Sequence, residues 1–509
     1  MDKKEQFQQA VSNSYNPKGD YIYLGSGFLG KDIIADARVN LALKMMNRHG
    51  LVAGATGTGK TRTLQLIAEQ LSEKGVPVFM LDVKGDLSGL AQAGDPIPAL
   101  TDRAKQLGYD YQNAGFPVEL FSLSGALGAS MRVRVRDFGP VLLARVLDLN
   151  DTQTGALSVL FKYAEDQNMG LINLADLKSL LNYLSSSDDQ KIQDTYGKIS
   201  GQTAGAILRK IVALEQQGMG KIFGETAFDI QDLFSIKDGK GVISLLNISD
   251  VQSQPMVFST FLLSLLSQLF TSLPEVGNPD KPKLIFFFDE AHLLFKDAPK
   301  AFLDKVDQII RLIRSKGIGI FFCTQSPTDL PDNVLAQLGS RVQHALRAFT
   351  PNDVEDLKKT VKTYPKSEFY AIQEVLTQLG TGQALITVLD DKGIPTEVVA
   401  THLIPPRAIM GPLDSSAYQQ LLDRSDLNKK YKVEIDPQSA EEIVAQKKEQ
   451  IEAAKVQEEK TKKRTSSRQT PMEAATKAVT TTLARKLANA AGSILVGILT
   501  GMFKKNKKR

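Results

Sequence analysis

Cysteine is almost absent from this 509-residue chain, which holds only Cys323, inside an apolar run. One thiol can build neither a disulfide framework nor a cysteine-based metal site. Histidine is nearly as scarce. His49, His292, His344 and His402 are scattered and show no metal-ligand spacing. The N-terminus, MDKKEQFQQAVSNSYN, lacks the apolar stretch of a secretory signal. These shortages together imply a reducing, cytoplasmic setting. Glycine is missing throughout 413–491, so that stretch reads as helical. The net charge of +5 conceals an asymmetry. Residues 447–509 hold 16 Lys/Arg against 5 Asp/Glu, whereas the rest of the chain holds 46 against 52. Basic character therefore belongs to the tail, and overall charge is a weak argument for nucleic-acid binding by the body.

What is present begins with RHGLVAGATGTGKT at 48–61. Leu51-Val52-Ala53 reads as a short buried strand. Gly54-Ala55-Thr56-Gly57-Thr58-Gly59-Lys60-Thr61 fits the phosphate-binding pattern G-x-x-x-x-G-K-[ST]. Leu64, Ile67, Ala68 and Leu71 follow at helical spacing, with Gly75 as a stop. Glycines let successive N–H groups turn inward on an anion, and the helix N-terminus adds positive potential there. Lys60 is placed to reach the β- and γ-phosphates and Thr61 to give a hydroxyl to Mg²⁺. Chance supplies roughly 0.02 such matches in a chain of this length.

A second motif, KLIFFFDEAHLLF, has Leu284–Phe288 as a fully buried strand ending in Asp289 and Glu290. Asp289 is expected to hold the metal's water shell opposite Thr61, and Glu290 to orient and polarise the attacking water. The pair argues for ATP hydrolysis. The helix AFLDKVDQIIRLIRSKG presents Phe302, Val306, Ile309, Ile310 and Ile313 as its buried stripe. Arg311 points away from that stripe and Arg314 lies at its flank. IGIFFCTQSP is another buried strand, with Gln325 at its end as a γ-phosphate sensor or ordinary loop polarity.

Elsewhere, YIYLG, RVNLALKMM, FPVELFSL and SMRVRVRDF read as strands, the last with Arg132, Arg134 and Arg136 on one face. That face is either solvated or tracks phosphates. Residues 139–222 read as a helical insertion. The uncharged run 255–272 is too short and too rich in Ser and Gln for a membrane span and reads as a core helix. Residues 341–404 alternate strands and helices and close with a hairpin. The expected organisation is a short β-containing segment at 1–47, an α/β ATPase core at 48–412, a charged helical linker at 413–470 and an amphipathic basic helix at 471–509.

The stretches NRHGLVAGATGTGKT, FFFDEAHLLF, RLIRSKGIGIFFCTQSP and LGSRVQHALRAFTPND resemble the HerA/FtsK superfamily of P-loop ATPases, nearest its bacterial HerA-like branch. The resemblance covers about residues 38–405. It implies a RecA-like core with a mainly parallel sheet, a homo-hexameric ring, ATP at subunit interfaces and double-stranded DNA as the track. It also implies an arginine upstream of the phosphate loop reaching a neighbour's ATP, here Arg48, and one after the DE pair, here Arg314. An acidic residue ending the second strand, Asp82, joins the nucleotide set. Archaeal HerA helicases carry a small β-barrel before the motor. Only 47 residues precede Arg48 here, so that barrel is expected to be reduced or missing. The alternative function is an ATPase acting on proteins or serving as a nucleotide-gated scaffold. The uncharged stretch 487–503, flanked by basic residues, has Ser493, Gly497 and Gly501 on one helical face. It is open to three partners: protein, an anionic membrane surface or nucleic acid.

Overall fold

The computed structural model describes residues 2–252, 255–295, 300–433, 435 and 437–466, with the side chains at 219, 255–256, 300–302 and 462–466 left aside. The basic helix expected at 471–509 lies outside the described residues, as does the side chain of Phe302. The chain divides into two compact units, Met1–Glu441 and Glu442–Arg509. The described part of the second unit is helical, within the charged helix Ala440–Ser466.

A twelve-stranded sheet organises the first unit. Its strands are β1 (Tyr21–Leu29), β2 (Asp32–Ala42), β3 (Gly50–Ala53), β4 (Val78–Asp82), β5 (Val118–Ser122), β6 (Ala129–Ser130), β7 (Ile243–Asn247), β8 (Leu284–Phe288), β9 (Ile318–Thr324), β10 (Ser340–Gln343), β11 (Gln383–Thr387) and β12 (Val399–Leu403). Their order across the sheet is β2-β1-β12-β11-β10-β3-β9-β8-β4-β7-β5-β6. From β10 to β6 every pairing is parallel. From β2 to β10 every pairing is antiparallel. The parallel strands are buried on both faces, which accounts for unbroken runs such as Leu284–Phe288 rather than alternation. Phe286, Phe287 and Phe288 are fully buried and meet Phe79, Phe321 and Phe322 on the flanking strands. Each such ring contributes about 1.5–3 kcal/mol by leaving water.

The N-terminal segment is no separate body. Strand β1 pairs with β12, Gly25 opposite Leu403, so residues from both ends of the core share one ladder. The helix Lys3–Ser14 packs Phe7 against Phe369 and Tyr370. Among the described residues the segment forms an extension of the sheet and not a barrel.

The stretch SMRVRVRDF is not the strand its alternation suggests. Only Ala129 and Ser130 belong to the sheet, and a helix starts at Val135. Val133 and Val135 are buried, and Arg132 is itself only 8% exposed, donating to the Glu225 carbonyl at 2.9 Å. Arg134 turns to Asp137, and Arg136 remains exposed. Arg132 and Arg134 both reach Glu225, and Arg134 and Arg136 both reach Asp137, so the three are engaged locally rather than presented on an open strand face. The helical insertion opens with the helix Val135–Val146, kinked at Gly139, and continues through Asp151–Asp166, Leu174–Ser186, Gln190–Tyr196 and Gly201–Gln216. The helix Pro255–Ser272 is in the core, with Phe258, Phe261, Leu265 and Leu269 buried. Among the described residues no helix is long and apolar enough to cross a membrane.

The expected linker begins later than position 413. The helices Ser415–Arg424 and Asp426–Lys432 are tied to the β5–β6 edge: the Tyr418 hydroxyl donates to the Leu127 carbonyl at 2.6 Å, and Ser425 donates to Glu119 at 2.5 Å. Tyr431 is fully buried, donates to Asp232 at 2.5 Å and accepts from the Asp229 amide at 2.9 Å. Tyr431→Ala is expected to lower the unfolding free energy by about 3–5 kcal/mol. Tyr431→Phe should cost about 1–3 kcal/mol by leaving the amide and carboxylate without the hydroxyl. Urea unfolding checks both. A loss below about 1 kcal/mol for the alanine variant would place this segment outside the cooperative core.

Candidate nucleotide site

All the phosphate-loop chemistry lies at the carboxyl ends of the parallel strands. Strand β3 is flanked by β9 and β10, and the DE strand β8 lies beyond β9. The loop after β3 turns through positive φ at Gly54, Gly57 and Gly59 (154°, 78° and 109°), and the helix Lys60–Glu73 starts directly from Gly59. At Gly54 the reason is also contact: a Cβ there would lie 2.5 Å from the Cβ of His344. Ala55 donates its amide to the Ala345 carbonyl at 2.8 Å, which moors the loop to the segment after β10. Thr58 closes it from within, its hydroxyl donating to the Ala55 carbonyl at 2.7 Å.

Lys60 is buried, with 9% exposure, and its ammonium donates to the carbonyls of Gly54 at 2.7 Å and Ala55 at 3.2 Å. A cavity of about 250 Å³ joins the loop to the DE pair. Thr56, Gly57, Gly59, Lys60 and Thr61 line one side, and Asp289 and Glu290 the other. Arg62, Lys84, Asp86 and Thr381 complete the wall. Gly54, Ala55 and Thr58 shape the loop from behind. Asp289 is 4% exposed, and burial pushes its carboxyl above the usual range, against a hydrogen bond from the Cys323 thiol. Glu290 sits at φ 48° with its amide donating to Asp289 Oδ1 at 2.9 Å. Its Oε1 pairs with Lys84 at 3.1 Å. Its buried Oε2 has no hydrogen-bond partner among the described residues and faces His292 Nδ1 at 3.5 Å. A glycine cradle, a buried ammonium, a buried carboxylate and an unsatisfied acceptor in one cavity fit a nucleotide phosphate with a divalent cation. Thr61 and Asp289 are the residues that would hold the cation.

Two residues of the expected set lie outside the lining of this cavity. Asp82 does not line it. Its carboxylate accepts the amides of Gly85 (2.8 Å), Asp86 (3.1 Å) and Leu87 (3.1 Å), so it clamps the loop that carries Lys84. Burial nevertheless pushes its carboxyl up to about 6. Gln325 follows β9 but lines a neighbouring cleft with His292, Phe295 and Asp329.

Arg48 and Arg314 lie at the other end of the sheet. Arg48 precedes β3 and Arg314 precedes β9, both at amino ends. Between them stands His49, which sequence reasoning did not single out because one buried imidazole leaves no periodic trace. Its Nδ1 accepts from the Ile320 amide at 3.0 Å, and its Nε2 lies 2.8 Å from the Ile310 carbonyl, to which it donates. Burial pushes its pKa down to about 4, helped by the charge of Arg314. His344, behind the phosphate loop, is likewise held near 4 by burial and by Lys60, with its Nε2 2.9 Å from the Thr63 hydroxyl.

An imidazole with a depressed folded pKa stabilises the fold above its unfolded value, near 6.5, and that stability is lost as pH falls through the folded value. Asp82 and Glu69, pushed up to about 6 and about 7, act in the opposite direction. A difference measurement isolates His49. The gap in unfolding free energy between parent and His49→Gln is expected to shrink by about 2 kcal/mol between pH 7 and pH 5. A pH-independent gap would show that His49 is not held neutral.

Comparison with known proteins decides the family. The family model described as "Helicase HerA-like C-terminal" matches residues 30–505. The chain belongs to this HerA-like family. Among curated HerA-like relatives, the DNA double-strand break repair helicase HerA of Sulfurisphaera tokodaii is 21% identical over 371 residues, 70% of this chain. The match covers 66% of that relative's length. The corresponding HerA of Saccharolobus solfataricus is 24% identical over 386 residues, 75% of this chain and 69% of the relative. Among solved structures, the bacterial conjugative coupling protein TrwB superposes with a TM-score of 0.50 at 15% identity, covering 81% of this chain and 95% of that one. That likeness is one of fold, and it agrees with a RecA-like P-loop core.

Proposed function

We propose that this HerA-like chain hydrolyses ATP with Mg²⁺ in the cavity between the phosphate loop and the DE pair. The hydrolysis drives a ring of identical subunits along double-stranded DNA in the cytoplasm. The observation that carries the reading is the approach of Lys60 and Thr61 to Asp289 and Glu290 across one cavity of about 250 Å³. The names of the curated relatives, double-strand break repair helicases, support DNA as the track.

The chain's own residues divide the work. Loop amides and Lys60 bind and orient the phosphates. Thr61 and Asp289 would hold the cation, which would supply positive charge against the phosphates. Glu290 presents a carboxylate oxygen to the attacking water. The backbone around Asp82 holds the Lys84 loop against this wall. Arg48 and Arg314, at the opposite end of the sheet, serve the site of an adjoining subunit.

ATPase rates with and without duplex DNA test the motor reading. A several-fold stimulation is expected, weakening steeply as salt rises because phosphate contacts release counterions. No response at any ionic strength would overturn DNA as the track. Slow, unstimulated turnover by an assembled ring would then favour action on proteins or a scaffolding role.

A further inference from the structure

Lys84 takes no part in the phosphate-loop motif, yet it lines the same cavity as Lys60, Asp289 and Glu290. Its ammonium lies 3.1 Å from Glu290 Oε1, the group read above as acting on water. The two halves of this pair differ in freedom. Glu290 has a side chain only 13% exposed, on a backbone locked at φ 48°. Lys84 has a side chain 51% exposed, on a loop whose amides at 85–87 are fastened to Asp82. The anchor of the lysine is rigid, and its four-carbon stem is free to swing.

We propose that Lys84 is shared between Glu290 and the terminal phosphate of a bound nucleotide, so that arrival of that phosphate withdraws the ammonium and releases the glutamate. Electrostatics sets the direction. A half-exposed ion pair is screened and weak, worth about 0–1 kcal/mol. A terminal phosphate carries more negative charge than one carboxylate and offers three acceptor oxygens. In the same cavity Lys60 and Arg62 are fixed cations and Asp86 and Asp289 are anions, while His292 faces the other oxygen of Glu290. Among the described residues Lys84 is the lysine bonded to Glu290, so it ties the glutamate to the presence of a γ-phosphate. A diphosphate does not present that group. The inference rests on the reading of Glu290 as the group that polarises water, and its test is made in binding rather than turnover.

The test is a binding cycle on the full chain, with Mg²⁺ and either a non-hydrolysable ATP analogue or ADP, for the parent, Lys84→Met, Lys84→Arg, Glu290→Gln and the Lys84→Met/Glu290→Gln double variant. Lys84→Met is expected to lose about tenfold in affinity for the analogue and less than about twofold for ADP, and Lys84→Arg to recover most of the loss. Glu290→Gln is expected to tighten analogue binding several-fold when Lys84 is present and much less when it is Met, since the coupling needs both partners. Equal losses for the analogue and ADP would make Lys84 merely structural and overturn the proposal. An identical effect of Glu290→Gln with and without Lys84 would reduce it to repulsion between carboxylate and phosphate, and would also overturn the proposal. Hydrolysis by Glu290→Gln is measured separately, so failure of the glutamate's catalytic role and failure of the sharing are told apart.

Discussion

Glu290→Gln is expected to bind ATP at least as tightly as the parent and to hydrolyse it about 10²–10⁴-fold more slowly. The substitution preserves volume and the backbone at φ 48°, which is held by the Asp289 carboxylate through the Glu290 amide. It removes the negative charge and one of the two acceptor oxygens. Glu290 Oε2 is buried without a hydrogen-bond partner among the described residues, so it is the acceptor on this wall available to a water. Lys60→Ala should behave differently. That ammonium is buried and surrounded by the carbonyls of its own loop, and a phosphate would replace them as its partner. Its removal takes away charge-assisted hydrogen bonds worth about 1.5–3 kcal/mol, so affinity should fall by about 10- to 100-fold and hydrolysis with it. Fluorescent-nucleotide titration and phosphate release separate the two behaviours. Parental hydrolysis by Glu290→Gln would show that another group acts on the water.

Arg48→Ala is expected to lower turnover by about 10³-fold or more while leaving nucleotide affinity unchanged. Strand β3, Gly50–Ala53, separates Arg48 from the phosphate loop. Four residues at about 3.3 Å each make about 13 Å of buried strand, and the arginine lies beyond the far end. His49 fixes this arrangement by joining the segment to the Ile320 amide and the Ile310 carbonyl. Arg48 therefore lies at the far end of the strand from its own phosphate loop, and on the proposed reading it acts on another subunit's site. Mixing Arg48→Ala with Glu290→Gln should restore part of the activity, because some junctions then combine an intact glutamate with an intact arginine. Sedimentation showing only monomers with ATP and Mg²⁺ present, or mixtures no more active than their components, would sink the assignment.

The legible parts of the site were those whose geometry is carried by consecutive residues. Gly54 to Thr61 dictate their own turn, and the run Leu284–Phe288 followed by two carboxylates can hardly be anything but a buried strand with a functional end. Asp82 was legible as a strand terminus but not as a clamp, because its role depends on where the amides of residues 85–87 point, which residue type does not encode. Lys84 was overlooked for the same reason. The alternation around Arg132, Arg134 and Arg136 was misleading: its apolar partners Val133 and Val135 enter the helical insertion, and tertiary packing overrode the period-two signal. The pairing of β1 with β12 joins residues nearly four hundred positions apart, and no local pattern announces it. Tyr431 belongs to the core through Asp232 and Asp229, partners about two hundred residues away, in a segment whose charge reads as a linker.

Because the parallel strands all run the same way, the subunit is polar in the directional sense: one end receives phosphate and the other carries the arginines. A two-fold dimer could join unlike ends only by laying two subunits antiparallel, a pair that closes on itself with two sites. In the head-to-tail contact of the proposed ring, each arginine end meets the phosphate end of the next subunit. An open row of such subunits always retains one acceptor without a donor, and this defect disappears only when the row bends round and closes. Specific activity per subunit should therefore rise with concentration until closure and then become flat.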